Sequence, residues 1–339
     1  MQAVYDHAQA AHAPEFFLVK GVTRPSTEQP ERAERLLAGL AKLGVPILSA
    51  DDFGLAPLAA VHTPEYLDFL KTAHKHWIAL DGAAGEIIPN VHPQRPPATY
   101  PESLVGRAGW HMADTACPIG PNTYAAACAS ANSALTAAAL VQDGATSAYA
   151  LCRPPGHHAF ADMAGGFCFL NNTAIAAQFL RQRHDRVAVL DVDVHHGNGT
   201  QAIFYGRGDV LTVSLHADPH AFYPFFWGHA SERGEGEGEG TNLNLPLALL
   251  SGDDTVLEAV EEAAQAIAAF APGALVVALG LDASEADPLR GLSVTTNGFA
   301  RIGQAIAALG LPTLYVQEGG YLSDILGDNL AAFLSGATR

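Results

Sequence analysis

From Ser147 onward, apolar residues fall into short unbroken runs separated by longer stretches with helical spacing. The runs Ala148–Cys152, Val187–Val194, Leu211–His216, Leu275–Leu281 and Thr313–Gln317 are rich in Val, Leu and Ala. A strand with one wet face alternates apolar and polar residues, whereas an unbroken run belongs to a strand covered on both faces. Between the runs lie Ala-rich helical segments, Ala125–Val141, Asn171–Arg183, Thr255–Phe270 and Thr296–Ala308, and Ser323–Leu334 closes the chain. This alternation predicts an α/β fold: a central parallel sheet flanked by helices. The pattern before Ser147 is weaker. Arg32–Leu43 reads as a helix, and His62–Ala73 as a second one opened by Pro64. Gly82–Met112 carries Pro89, Pro93, Pro96, Pro97 and Pro101 and reads as a long irregular segment. A loop of that length in a compact domain usually serves function or an interface. Gly234–Gly240, which repeats Gly-Glu, reads as a solvated loop. No repeat or linker divides the sequence, so residues 1–339 are expected to form one domain.

In parallel sheets of this kind, ligands bind beyond the carboxyl ends of the strands. Those positions are chemically loaded here. The first run is followed by Arg153-Pro-Pro-Gly-His157-His158, and the second by Asp191-Val-Asp193-Val-His195-His196-Gly-Asn198-Gly. The third ends in Ser214-Leu-His216, the fourth in Gly280-Leu-Asp282, and the fifth in Glu318-Gly-Gly-Tyr321.

Composition narrows the classes of function. Hydrophobic residues make up 49% of the chain and charged residues 16%, enough apolar material for a large core. The formal net charge of −17 argues against nucleic acid or an anionic membrane as the main partner, and is compatible with a cationic substrate. Cys117, Cys128, Cys152 and Cys168 form no CxxC pair, as in a reduced cytoplasmic protein. Met1–Ala13 lacks the apolar stretch of a secretion signal, and no run of 18 unbroken apolar residues predicts a membrane span.

Asp193 and His195, two apart on an expected strand, would point the same way. With Asp282 at a neighbouring strand end, two carboxylates and one imidazole suit a divalent ion. Zinc fits, as do Fe2+ and Co2+, and three protein ligands leave room for water and substrate. The competing reading is that these Asp residues cap helices or form buried ion pairs. His157 and His158 follow Pro-Pro-Gly, where a turn can aim both at one site. They read as a general base and its electrostatic partner, or else as two structural histidines. Asp191 and Asn198 are candidates to hold their far nitrogens. Tyr321 after Gly-Gly is either a turn residue or a hydroxyl that polarises a carbonyl. No Gly-x-Ser-x-Gly elbow or Walker-type phosphate loop appears.

Taken together, Arg153-Pro-Pro-Gly-His-His158, Gly165-Gly-Phe-Cys-Phe-Leu-Asn-Asn172, Asp191-Val-Asp-Val-His-His-Gly-Asn-Gly199 and Glu318-Gly-Gly-Tyr321 resemble the histone deacetylase superfamily. The resemblance runs from about His62 to the end of the chain and implies the arginase/deacetylase fold. It implies zinc on Asp193, His195 and Asp282, His157 and His158 as the general base and acid pair, and Tyr321 on the carbonyl. Asp191 would stand behind His157 and Asn198 behind His158. It further implies potassium held by Asp191, Asp193, Ser214 and the carbonyls of His195 and Leu215. A second potassium would sit on main-chain oxygens near Phe204, Arg207 and Val210.

Within the superfamily the chain is most similar to the bacterial acetylpolyamine amidohydrolases, through Gly82–Met112, His62-Thr-Pro-Glu-Tyr-Leu-Asp-Phe-Leu70 and Ser214-Leu-His-Ala-Asp-Pro219. That similarity implies a homodimer in which residues 82–112 of each partner narrow the other's site mouth. It also implies removal of acetyl groups from small cationic amines, with Gly166, Phe167 and Tyr223 lining the tunnel. Tyr223 stands where Phe is common, and around Ser103-Leu-Val-Gly-Arg107 the chain is apolar and basic where that group is acidic. Glu86 and Glu102 are nearby acids; Glu15 and Glu285 have no assigned place. The alternatives are an acetyl-lysine protein deacetylase or other acyl-amine hydrolase and, more distantly, a non-catalytic module that binds acetylated ligands.

Overall fold

A computed structural model describes residues 1–93 and 98–338. Pro96 and Pro97 of the expected irregular segment lie outside the described residues. The strands are β1 (Gln2–Val4), β2 (Phe16–Val19), β3 (Val22–Pro25), β4 (Ile47–Leu48), β5 (Ser147–Ala150), β6 (Val187–Asp191), β7 (Val210–Ala217), β8 (Asn242–Leu247), β9 (Ala274–Leu279) and β10 (Thr313–Gln317). Eight of them form one sheet in the order β4-β1-β5-β10-β9-β6-β7-β8, with every pairing parallel. β2 and β3 make a separate antiparallel hairpin. The five apolar runs are the five central strands, and the chain is one α/β domain built on this sheet.

Successive strand residues point to opposite faces. Leu190, Val277 and Tyr315 pack with Leu36 and Leu40 of helix Glu31–Leu43 and with Leu330 and Phe333 of helix Leu326–Ala337. Val189, Val276 and Leu314 pack on the other face with Ala134, Ala138, Ala174 and Ala177 of helices Thr123–Gln142 and Asn172–Leu180. Each fully buried Val or Leu contributes about 1.5–3 kcal/mol. Helix Thr123–Gln142 is long and apolar enough to cross a membrane by composition, but 67% of that window is buried inside the fold, as in a core helix.

Local chemistry sets the helix ends. Thr63 Oγ1 accepts from Tyr66 N and Pro64 opens helix Pro64–Trp77, so His62 lies outside it. Asn171 Oδ1 accepts from Ala174 N at the start of helix Asn172–Leu180. The segment expected to be irregular contains helix Leu104–His111, whose Gly109 lets the Val91 carbonyl approach closely. Gly234–Gly240 is a loop with a short 3-10 turn, as expected.

One expectation is corrected. Asp193 and His195 are not on a strand, because β6 ends at Asp191. Beyond it, Asp191 Oδ1 accepts from Asp193 N (3.0 Å) and Asp193 Oδ1 from His195 N (2.9 Å). Carboxylates that bond the backbone two residues ahead turn the chain, so these residues are aimed by successive side-chain turns.

Candidate metal centre and active site

The carboxyl ends of β5, β6, β9 and β10 converge on one buried cluster. Single donor atoms of Asp193, His195 and Asp282 all lie within 4.8 Å of one another. His195 Nδ1 stands 3.0 Å from Asp193 Oδ1 and 3.2 Å from Asp282 Oδ2. Both Asp residues are fully buried, and Asp282 Oδ2 has no hydrogen-bond partner. An unpartnered buried carboxylate oxygen is costly unless it is paired or ligates a metal. The donor set, two carboxylates and one imidazole, therefore fits a divalent ion with open positions.

Electrostatics agree with a cation at this point. Burial opposes a charge on His195, yet the nearby Asp193 and Asp282 carboxylates, 3.0 and 3.2 Å from its Nδ1, raise its pKa to about 9. Burial also raises Asp193, but the His157 and His195 charges hold it well below the usual carboxylate range. Asp282 is raised, by burial first and then by the Asp193 charge. Phe222 stacks on the His195 ring, with centroids 5.2 Å apart.

The two neighbouring histidines have unlike partners. His157 Nδ1 donates to Asp191 Oδ2 at 2.9 Å, while His158 Nδ1 lies 2.7 Å from the neutral Asn198 Oδ1. Burial disfavours charge on both. In His157 the Asp191 and Asp193 charges outweigh burial and push the pKa well above its ordinary value. In His158, burial and the charges of His157 and His195 push it well below. The buried Tyr321 hydroxyl is pushed up by burial, so it stays a hydrogen-bond donor.

The expected tunnel residues surround this point. Phe167, at φ 69, sits edge-on between Tyr321 (5.6 Å) and Phe17 (5.5 Å). The Tyr223 ring stands perpendicular to that of His158 at 5.0 Å, and its hydroxyl donates to Asp114 Oδ2 at 2.6 Å. Gly166 leaves room for that hydroxyl, which a Cβ would meet at 2.9 Å.

Behind the cluster, Asp191 and Ser214 are direct partners across β6 and β7, next to Leu215. With His196, Gly197 and Asn244 they bound a small space. Farther off, Phe204 ends helix Asn198–Phe204, Arg207 lies in the following turn, and Val210 opens β7. The nearby acids stand apart from the cluster. Glu86 accepts from the Glu15 amide at 3.2 Å, while Glu15, Glu102 and Glu285 are exposed.

The groups that hold the loops leave no sign of that role in the sequence. Glu318 accepts from Gly156 N (2.6 Å), His157 N (3.0 Å) and Thr173 Oγ1 (2.6 Å), which ties the end of β10 to the His-His turn. Those bonds make it a clamp, although it also clusters with His157 and Cys168. Glu28 pairs with Arg32 (2.8 Å) and Arg153 (2.9 Å) in the interior. Phe17 and Asp114 carried no local signal. Arg153 stood in view beside Pro-Pro-Gly-His-His.

Residues 26–337 match the histone deacetylase domain. Over 97% of its length the chain is 51% identical to an acetylpolyamine amidohydrolase of Burkholderia pseudomallei, covering 96% of that protein. Over 99% of its length it is 46% identical to acetylpolyamine amidohydrolase 1 of Pseudomonas aeruginosa, covering 98% of it. A crystal structure of acetylpolyamine aminohydrolase from Burkholderia pseudomallei matches with TM-score 0.96 at 50% identity, covering 99% of this chain and 98% of that one. With the parallel sheet, its loaded strand ends and this near full-length similarity, the chain belongs to the histone deacetylase family.

Proposed function

We propose that this chain is a metal-dependent amidohydrolase that removes acetyl groups from acetylated polyamines or related small cationic amines. One observation carries the proposal: the donors of Asp193, His195 and Asp282 converge within 4.8 Å beside His157, His158 and Tyr321. The similar proteins named above support the substrate class, and the net charge of −17 suits a cationic ligand.

In this reading Asp193, His195 and Asp282 hold zinc, with Fe2+ or Co2+ as alternatives. A bound ion of this kind lowers the pKa of a water in the site and draws electron density from the acetyl carbonyl. The unlike partners divide the work of the histidine pair. His157, charged through Asp191, stabilises developing negative charge. His158, kept neutral against Asn198, takes the proton of the attacking water and delivers it to the leaving amine nitrogen. Tyr321 donates its hydroxyl to the acetyl oxygen as that oxygen becomes negative. Gly166, Phe167 and Tyr223 form a slender wall for the acyl-amine chain. The products are acetate and a free amine.

Potassium is proposed for the space behind the cluster, on Asp191, Asp193, Ser214 and the carbonyls of His195 and Leu215. A second is proposed on the main chain near Phe204, Arg207 and Val210. We propose a cytoplasmic homodimer, with residues 82–112 of each partner at the other's mouth. Exposed Val91 and Tyr100 on that segment, and Phe225 and Phe226 beside Tyr223, offer apolar surface for such a contact.

The test is acetate release from N-acetylputrescine, N-acetylcadaverine and an acetyl-lysine peptide by the zinc-loaded enzyme. Turnover of the two small amines in preference to the peptide is expected. Turnover of the peptide alone would overturn the substrate class and the role of residues 82–112.

A further inference from the structure

The hydroxyl of Tyr321 is carried by a backbone with little stiffness of its own. It follows two glycines, and Gly320 has φ +118, a conformation L side chains rarely adopt. The Gly320–Tyr321 peptide is instead gripped at both edges. Arg32 Nε donates to Gly320 O at 2.6 Å, and Tyr321 N donates to Asp287 Oδ2 at 2.9 Å. Asp287 is 3% exposed, and its other oxygen accepts from Leu289 N at 2.9 Å. It sits on the loop that leaves Asp282, and its own N–H donates to Ser284 O at 3.1 Å. Ser284 is anchored in turn by Asn329 Nδ2, which donates to its Oγ at 3.0 Å. One buried carboxylate thus joins the loop after β9 to the loop after β10.

We propose that Asp287 is a positioning residue for Tyr321, setting the hydroxyl's place by fixing the Gly320–Tyr321 peptide plane. This rests on the reading of Tyr321 as the donor to the acetyl oxygen. A peptide unit turns about its two flanking soft dihedrals, and a buried carboxyl oxygen held on the N–H removes that freedom. The bond Tyr321 makes strengthens as the carbonyl becomes an oxyanion, so displacement lowers kcat more than it raises KM.

The test compares zinc-loaded wild type, Asp287→Ala, Asp287→Asn, Tyr321→Phe and the double variant Asp287→Ala/Tyr321→Phe on N-acetylputrescine. Zinc content and melting temperature are measured on each. Asp287→Ala is expected to lose roughly 10–100-fold in kcat with KM little changed and zinc retained. Asp287→Asn, which keeps an acceptor oxygen, loses less and serves where the Ala variant folds poorly. The double variant is expected to be no slower than Tyr321→Phe, because a residue acting through the hydroxyl has nothing left to position. A wild-type kcat in Asp287→Ala, loss of zinc in that variant, or a double variant slower by the full Asp287→Ala factor would each overturn the proposal. A Tyr321→Phe enzyme of undiminished rate is a different result: it removes the hydroxyl's role, and this inference with it.

Discussion

Glu28→Gln removes a carboxylate shared by two buried guanidinium groups. Glu28 is fully buried, Arg32 and Arg153 are each 1% exposed, and the carboxylate lies 2.8 Å from one and 2.9 Å from the other. The remaining guanidinium bonds go to carbonyls, Arg32 to Gly320 and Glu318, and Arg153 to Gln9 and His12. Those acceptors are polar but uncharged, so the variant leaves two buried positive charges uncompensated. Breaking a buried ion pair at one partner costs about 3–5 kcal/mol. With an unfolding entropy near 2.1 cal/mol/K per residue, that lowers the melting temperature of this chain by about 4–7 °C. Turnover should fall as well, because Arg32 holds Gly320 O and lies 4.7 Å from the Tyr321 ring centre. The assay is thermal melting of metal-saturated protein at one scan rate, beside Glu31→Gln. Glu31 is exposed on the helix that carries Arg32, and surface changes of this kind stay within about 0.5 kcal/mol. A Glu28→Gln melting temperature within about 1 °C of wild type would show that the two buried guanidinium groups do not depend on this carboxylate.

Three further outcomes follow from single contacts. A Cβ on Gly319 would sit 2.0 Å from Asp282 Oδ2 and 2.6 Å from Asp193 Oδ2. Gly319→Ala should therefore weaken zinc affinity measured by competition with a chelator; unchanged affinity would contradict the packing of that loop. His62 is buried, accepts from Asn171 N at 2.9 Å, and has its pKa lowered to about 4 by burial. Between the unfolded value near 6.5 and that folded value, the unfolded chain binds the proton and the folded one does not. Stability therefore falls as pH drops through this window, by up to about 1.4 kcal/mol per unit. His62→Gln lacks the effect, so its gap from wild type in unfolding free energy should narrow on acidification; a constant gap would exclude it. Tyr223→Phe loses the bond to Asp114 and keeps the ring against His158. It should cost about 1 kcal/mol of stability and leave turnover largely intact; a loss as deep as that of Tyr321→Phe would place the phenol in the chemistry.

The sequence revealed the centre of the sheet better than its edges, for a physical reason. β5, β6, β7, β9 and β10 are mostly buried on both faces, so apolar character alone marks them. β1 and β4 have 3 and 2 residues, too few for a period to show. β8 turns Asn242 and Asn244 inward, where they bond Gln201 and Glu232, so its pattern runs against the rule that apolar residues face in. The His-His turn, the Asp-x-Asp-x-His segment and the Gly-Gly-Tyr end were visible because chemistry clusters after strands. The way Asp193 and His195 converge was not, since side-chain turns and not strand alternation aim them. Glu28, Arg32 and Asp287 were silent for another reason. Arg32 meets Gly320 across 288 positions and Asp287 meets Tyr321 across 34, and such partners leave no local pattern.

In the proposed enzyme Asp193, His195 and Asp282 hold a hydrolytic metal beside Tyr321. The most direct test measures zinc content and acetate release together, on N-acetylputrescine, for wild type, Asp282→Ala and Tyr321→Phe. Zinc and turnover are expected in wild type, loss of both in Asp282→Ala, and retained zinc with collapsed turnover in Tyr321→Phe. Acetate release that persists in Asp282→Ala without zinc, or a zinc-loaded wild type that releases none, would contradict this metal role.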